Sequence, residues 1–311
     1  MIICAGESLI DLVSFAAENG EVQYSPHVGG SILNSALALG RLGADAYYCG
    51  AVSNDTFGGL IEDCLRDSKV QEDFIIKTNR HTTLAYADVT DGVAKYTFVD
   101  EHSAGRLIDE DSLKPFVNKI NNAKALLVGG ISLQAEPCGT SWQWLVEQVA
   151  GHCVIYFDAN IRPDFIEDKD KYLERFERLT RKVDIIKISE EDYSYLYGTK
   201  DFQKVSAEWL EKGIKMIVLT LGEKGAKVMY AGGREISVGI EPVKVIDTIG
   251  AGDSFNAGLL FDLDKQKMLD QEKLASIDTS TLKKALTFAN QIARFTVTQK
   301  GANPPWLDEL K

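Results

Sequence analysis

One stretch of this chain concentrates residues able to do chemistry: Asp247-Thr248-Ile249-Gly250-Ala251-Gly252-Asp253-Ser254-Phe255-Asn256-Ala257-Gly258. A Gly-Ala-Gly turn that opens a helix leaves backbone N–H groups unpaired. It also presents the positive end of the helix dipole, which suits a phosphate or an oxyanion. A carboxylate beside such a pocket repels phosphate. Asp253 makes chemical sense instead as a general base, taking a proton from a hydroxyl that attacks a phosphorus held by the N–H groups. The plain alternative is a capped helix start in which Asp253 serves only the dipole. Short glycine-rich runs match by accident too readily to exclude it.

Other polar residues could serve the same chemistry. Asp11 interrupts an apolar run between Ile10 and Leu12, so it faces either a site or solvent. His27-Val28-Gly29-Gly30-Ser31-Ile32-Leu33-Asn34 precedes an Ala/Leu-rich helix over 35–42. Its glycines let a ligand approach the backbone, and Asn34 offers both a donor and an acceptor, as a polyol requires. Further clusters are Asp158-Ala159-Asn160-Ile161-Arg162-Pro163, Ser189-Glu190-Glu191-Asp192, and Thr220 with Gly222-Glu223-Lys224-Gly225. Three consecutive carboxylates can hold magnesium directly or through its waters, or they simply begin a solvated helix. Lys187 and Lys224 can supply cations to phosphates, or be ordinary surface lysines.

The elements that must position these residues follow from the apolar pattern. Strands are expected over 1–5, 46–52, 125–128, 154–157, 185–188, 216–221 and 227–230. Helices are expected from about 54 to 67, 141 to 150, 170 to 183, 202 to 212 and 281 to 298, with one after the opening stretch. Residues 262–280 read as a solvated helix-loop segment. Strands alternating with helices predict an α/β fold, a doubly wound, mainly parallel sheet flanked by helices. Ligands of such sheets lie beyond the carboxyl ends of the strands, where the polar clusters fall. Two hairpins break the pattern. One has flanks 12–15 and 22–24 around Glu18-Asn19-Gly20-Glu21; the other joins 82–90 to 93–99 through Asp91-Gly92. They predict a small separate sheet, or else edge strands of the main one.

Composition narrows the partners. The formal net charge is −12 over 311 residues, against a nucleic-acid or anionic-membrane partner. The five cysteines are scattered, without a CxxC pair. Cys4, Cys49 and Cys153 lie in apolar runs and read as reduced core residues. Neither a signal peptide nor a membrane-length apolar run is evident, so a cytoplasmic location is expected. Walker A, the protein-kinase glycine loop and a GxGxxG opening are all missing, so any kinase here uses another arrangement.

The opening stretch closely resembles the C-terminal signature of the ribokinase-like (PfkB) carbohydrate kinases. Gly29-Gly30 with Asn34, and Leu39-Gly40-Arg41-Leu42-Gly43, resemble their N-terminal signature. The resemblance spans nearly the whole chain as a single domain. It implies ATP-dependent phosphorylation of a sugar hydroxymethyl group. Asp253 would be the base and Gly250, Ala251 and Gly252 the anion hole. Asp11, Gly29, Gly30 and Asn34 would hold the sugar. Lys187, Ser189, Thr220, Gly222, Gly225, Gly252 and Asn290 would line the nucleotide site. The family's Asn-x-x-Glu metal motif aligns on Ser189 and Asp192, both of which depart from it, which leaves Asp192 to reach Mg²⁺ through water. A monovalent cation such as K⁺ would sit on backbone oxygens around Asp247, Ile249 and Gly301. The hairpins, about 12–28 and 81–104, become a lid that pairs in a homodimer.

Asp158-x-Asn160-x-Arg162-Pro163 resembles the fructokinase and 2-keto-3-deoxygluconate kinase branch, and adds Asp158, Asn160 and Arg162 to the substrate candidates. His102 and Ala104 join them from the run Val99-Asp100-Glu101-His102-Ser103-Ala104. Two acids in that run would repel a carboxylate substrate, which puts fructose ahead of keto-deoxygluconate. A nucleoside kinase of the same family, and a catalytically silent sugar-binding regulator, are the other readings.

Overall fold

The computed structural model describes residues 1–17, 21–90 and 93–310. The strands are β1 (Ile2–Ala5), β2 (Leu9–Ala16), β3 (Val22–Gly29), β4 (Ala46–Ser53), β5 (Gln71–Thr78), β6 (Thr83–Thr90), β7 (Val93–Val99), β8 (Ala125–Gly129), β9 (Val154–Asp158), β10 (Ile185–Ser189), β11 (Met216–Thr220), β12 (Ala226–Tyr230) and β13 (Arg234–Val238). They form a nine-stranded sheet ordered β13-β12-β11-β10-β9-β8-β1-β4-β5 and a four-stranded sheet ordered β3-β2-β6-β7. The large sheet is parallel from β11 through β5, and β12 runs antiparallel to both of its neighbours, β11 and β13. The chain therefore has the expected doubly wound fold with a separate small sheet.

Strand alternation sorts the core into two layers. Ile2, Cys4, Leu127, Val154, Tyr156, Ile185 and Val218 face one layer. Ile3, Ala5, Leu126, Val128, Ile155, Ile186 and Ile217 face the other. Parallel strands buried on both faces read as continuous apolar runs, and such runs located the central strands in the sequence. The first layer is covered by the helices Ser31–Arg41, Ala251–Lys265 and Thr279–Thr296. Helices Cys138–Val149, Lys169–Leu179 and Phe202–Glu211 cover the second.

Two edge strands escaped the sequence reading. Both β5 and β13 are largely polar, with exposed residues between partly buried ones. The segment 262–280 is less solvated than expected: it contains the helix Gln271–Ala275, and Leu274 and Ile277 are buried in the core. Both hairpins form, as the antiparallel pairs β2/β3 and β6/β7 joined by a parallel β2/β6 contact. Their turns at 18–20 and 91–92 lie outside the described residues. β2 follows the carboxyl end of β1, and β6 that of β5, so the small sheet rises from the carboxyl edge of the large one. Among the described residues no helix is long and apolar enough to cross a membrane.

Candidate active site

Asp253 lies in the first turn of the helix Ala251–Lys265, whose N-cap Gly250 takes the left-handed conformation with φ 77°. A side chain at that N-cap would also strike Ala302, whose Cβ lies 2.7 Å from where a Cβ would sit. Ser254 is the first residue to bond back into the helix, to the Gly250 carbonyl at 2.8 Å. Of the amides expected to cradle an anion, that of Ala251 donates to the Thr248 carbonyl at 3.3 Å. Among the described residues, those of Gly250 and Gly252 have no backbone acceptor, nor has that of Asp253.

The neighbouring helix Ser31–Arg41 grips the Asp253 carboxylate. Ser31 Oγ donates to Oδ1 and Asn34 Nδ2 to Oδ2, each at 2.9 Å. Asn34 Oδ1 is buried and has no partner among the described residues. Burial, and more weakly the charge of Asp158, raise the Asp253 acid to about 6, against the Asn34 bond and Lys187, which lower it. A carboxylate that ionises near 6 is poised to act as a base at neutral pH.

Behind Asp253 lies a buried polar chain. Tyr156 Oη donates to Asn256 Oδ1 at 2.9 Å, and Asn256 Nδ2 donates to Asp158 Oδ2 at 2.7 Å. Lys187 Nζ donates to both Asp158 oxygens, at 3.0 and 3.1 Å. Asp158 is fully enclosed, and these bonds occupy its carboxylate. It therefore stands behind Lys187 as that lysine's anchor, rather than on the sugar as expected. Lys187 is buried too, and its Nζ lies 2.9 Å from where a Cβ on Gly252 would be. Glycine at 252 lets this cation stand directly against the glycine turn.

A cavity of about 770 Å³ opens from that turn along the carboxyl ends of β9, β10 and β11. It brings Lys187, Ser189, Thr220, Gly222, Gly225, Gly252 and Asn290 together on one wall. Asn160 and Arg162 line the same cavity. Asn290 Nδ2 donates to the carbonyls of Val238 and Gly239, each at 3.2 Å.

Asp192 is largely a structural cap. Its Oδ1 accepts the Ile161 amide at 2.9 Å, its Oδ2 the Ser189 amide at 3.4 Å, and Ser189 Oγ accepts the Asp192 amide at 3.0 Å. Among the described residues no group of His, Cys, Asp and Glu could hold a metal directly. Asp247 Oδ1 accepts the Ile249 amide at 3.0 Å and Oδ2 the Gly301 amide at 2.9 Å, which ties the two loops of the expected cation site together.

At the root of the small sheet, Asp11 lies over Gly29, where a Cβ would fall 2.4 Å from Oδ2. Burial raises the Asp11 acid to about 6. Gly30, with φ 110°, caps the helix that carries Ser31 and Asn34, and a Cβ there would meet the Glu7 carbonyl at 2.9 Å. Ala104 is buried below the small sheet, whereas His102 is exposed on a left-handed turn with φ 61°. Asp100 is not a free acid: Arg106 Nη1 reaches it at 2.9 Å, and the hydroxyls of Thr83 and Ser103 donate to it at 2.8 and 3.0 Å. One of the two charges said to repel a carboxylate substrate is thus neutralised.

Ser31 and Asn256, which contact Asp253 and Asp158, escaped the sequence reading although both fall inside the quoted signatures.

A parallel sheet with a buried carboxylate at a helix start, a buried lysine against a glycine turn and a polar cavity beyond the strand ends is an arrangement suited to phosphoryl transfer onto a hydroxyl. Comparison with known proteins makes the assignment specific. The model for the pfkB family carbohydrate kinases matches residues 1–309, and the chain belongs to this family. A fructokinase of Rhizobium leguminosarum bv. trifolii is 38% identical over 283 residues, covering 91% of this chain and 86% of that protein. An ATP-bound fructokinase structure from Xylella fastidiosa superposes with a TM-score of 0.90 at 23% identity, over 99% of this chain and 96% of that one. A double-mutant fructokinase from Vibrio cholerae O395, bound to fructose, ADP and potassium, superposes with a TM-score of 0.82 at 26% identity, over 97% and 93%.

Proposed function

We propose that this sugar kinase is a fructokinase, moving the terminal phosphoryl group of ATP to a primary hydroxyl of fructose. The observation that carries the mechanism is the Asp253 carboxylate fixed between Ser31 and Asn34 at the mouth of the glycine turn. Asp253 takes the hydroxyl proton as that oxygen forms its bond to phosphorus and the bond from phosphorus to ADP breaks. The amides of Gly252 and Asp253, with Gly250 and Ala251 shaping the turn, face the charge that develops on the transferred group. Lys187, held by Asp158, adds a fixed cation beside them. Asn34 Oδ1 and Asp11 are acceptors suited to sugar hydroxyls, with Gly29 and Gly30 leaving the backbone open.

Thr220, Gly222, Gly225, Ser189 and Asn290 suit the nucleotide by lining the large cavity. Asn160 and Arg162, on that cavity wall, would meet the phosphates or the sugar from that side. His102 and Ala104 would close over the sugar with the small sheet, as a lid. Magnesium, when bound, supplies charge neutralisation on the phosphates; Asp192 fits it only through water, because backbone amides occupy its carboxylate. A monovalent cation fits the loops that Asp247 ties between Ile249 and Gly301, and the potassium-bound Vibrio structure favours K⁺. Unpaired cysteines suit the cytoplasm.

The sugar itself rests on the fructokinase relatives. The ion pair of Asp100 with Arg106 weakens the charge argument against keto-deoxygluconate, so substrate must be decided by turnover. Coupled ADP-release assays over fructose, keto-deoxygluconate, ribose and nucleosides test this. The highest kcat/KM is expected with fructose. Faster turnover of another acceptor overturns the choice of sugar, and sugar binding without any ADP release makes the chain a silent regulator.

A further inference from the structure

Tyr156 and Asn256 are fully buried between β9 and the helix Ala251–Lys265. Asn256 stands one turn after Asp253 on that helix, so the two side chains leave neighbouring parts of its first turns. The Asp253 carboxylate is held by Ser31 and Asn34, whereas the Asn256 amide goes to Asp158. Strand register sets the far end, because Lys187 on β10 pairs with Asp158 on β9.

This chain of bonds has one direction. Lys187 Nζ can only donate, and both Asp158 oxygens accept from it. Asp158 Oδ2 also accepts from Asn256 at 2.7 Å, so Asn256 must turn Nδ2 to the carboxylate and Oδ1 to Tyr156. Tyr156 Oη then has to donate, and does so at 2.9 Å. Each member thereby fixes the rotation of the next. Enclosing a hydroxyl and an amide in a core opposes folding unless every bond is made, and apolar side chains would fill the space without that penalty. The polar pair therefore answers a need at the far end of the chain, which is the Lys187 ammonium.

Lysine carries its charge on a flexible four-carbon stem, so the place of Nζ depends on what holds it. Among the described residues, Nζ donates to Asp158 alone. It lies 2.9 Å from where a Cβ on Gly252 would be. Without the Asn256 amide on Oδ2, the Asp158 carboxylate is free to rotate and Nζ to leave the glycine turn. We infer that Asn256, backed by Tyr156, is a positioning residue for phosphoryl transfer: by holding Asp158 it aims Lys187 at the turn where the transferred group gathers charge. This rests on the transfer proposed above, with Lys187 as its fixed cation. A role confined to packing the helix on β9 is the competing account.

The test is a mutant cycle on the rate of phosphoryl transfer in a single turnover, with the full chain in excess over ATP and fructose saturating. One arm is Asn256→Ala in the wild type. The other is Asn256→Ala added to Asp158→Leu/Lys187→Met, which removes the ion pair whole and leaves no lone charge buried. Asn256→Ala alone should slow transfer about tenfold or more, with the KM for ATP and for fructose changed less than about threefold. Replacing the pair should slow it about a hundredfold or more, the usual effect of losing one fixed group that stabilises the transition state. Adding Asn256→Ala to that background should slow it less than about twofold further, because the amide has nothing left to aim. Tyr156→Phe should show the same dependence on the pair with a smaller loss, and replaces Asn256→Ala if that variant does not fold. Asp158→Asn/Lys187→Met serves as the background if the leucine does not fold. Equal slowing by Asn256→Ala in both backgrounds, or no slowing in the wild type, overturns the inference and leaves Asn256 a packing residue. A rate unchanged by replacing the pair overturns the reading of Lys187 as well. If the wild type transfers to another sugar in place of fructose, the choice of sugar alone fails, and the cycle run with that sugar decides the role of Asn256.

Discussion

Asp253 sits where two demands conflict. The proposed base role needs its ionised form, yet burial raises the acid to about 6. An unfolded aspartate ionises near 3.9. The unfolded chain therefore releases this proton at lower pH, and above about pH 4 the charged side chain opposes folding. The shift is worth on the order of 2–3 kcal/mol at neutral pH, fully developed above about 6. Asp253→Asn should thus lose orders of magnitude in kcat while raising Tm at pH 7. The Tm gain should shrink as pH falls from about 6 and vanish below about 4. The unpartnered Asn34 Oδ1 can accept the new amide, so the exchange leaves no clash. Wild-type kcat should fall tenfold per unit below about pH 6, because only the ionised carboxylate acts as base. Near-normal kcat in the Asn variant, or a Tm gain that persists at pH 3, would remove Asp253 from this role.

At the scale of elements, the small sheet is rooted through Asp55. This residue caps the helix Thr56–Asp67 by accepting the Gly58 amide at 2.8 Å. It also accepts the amide and the hydroxyl of Thr82, each at 2.8 Å, at the entry to β6. Its acid is lowered: burial raises it, but the bonds from Thr82 and Gly58 together prevail. A lowered acid adds stability that is present above the ordinary carboxylate pKa and lost as pH falls through the folded value. Asp55→Ala should cost about 1–2 kcal/mol at pH 7, the usual worth of an N-cap, and less in acid. It should also raise the sugar KM by loosening the root of β6, with the ATP KM unchanged. An equal rise in both KM values would deny the root a specific role.

This scale also explains what the sequence disclosed. Buried central strands such as β8 and β9 announce themselves as apolar runs. Edge strands β5 and β13 have polar, partly exposed residues and carry no comparable signal. Asp253 was legible because its glycines are fixed in spacing along the chain. Its grip by Ser31 and the burial of Asp158 behind Lys187 depend on helix and strand packing between distant segments, which no local pattern encodes.

At the scale of the whole molecule, the small sheet leaves apolar side chains uncovered. Val22, Tyr24 and Val99 are 67%, 41% and 42% exposed. Strand register puts them on one face: Ser14 opposes Tyr24, Leu12 opposes Tyr86 and Leu84 opposes Val99. Tyr24 and Tyr86 meet edge to face on that side, with ring centroids 5.5 Å apart. Asp11 and Phe15 occupy the opposite face. An exposed apolar face of this kind is suited to cover its like on a second copy of the chain. We predict a homodimer joined through these outer faces, in which each lid steadies the other. Light scattering should give twice the 34.3 kDa chain mass. The double variant Val22→Asp/Val99→Asp places charge on that face at residues already exposed, so it should leave Tm nearly unchanged. It should yield a monomer with a raised sugar KM, since a lid without its partner closes less firmly. A wild-type monomer, or a dimer indifferent to both charges, would place the assembly elsewhere and leave each lid to close alone.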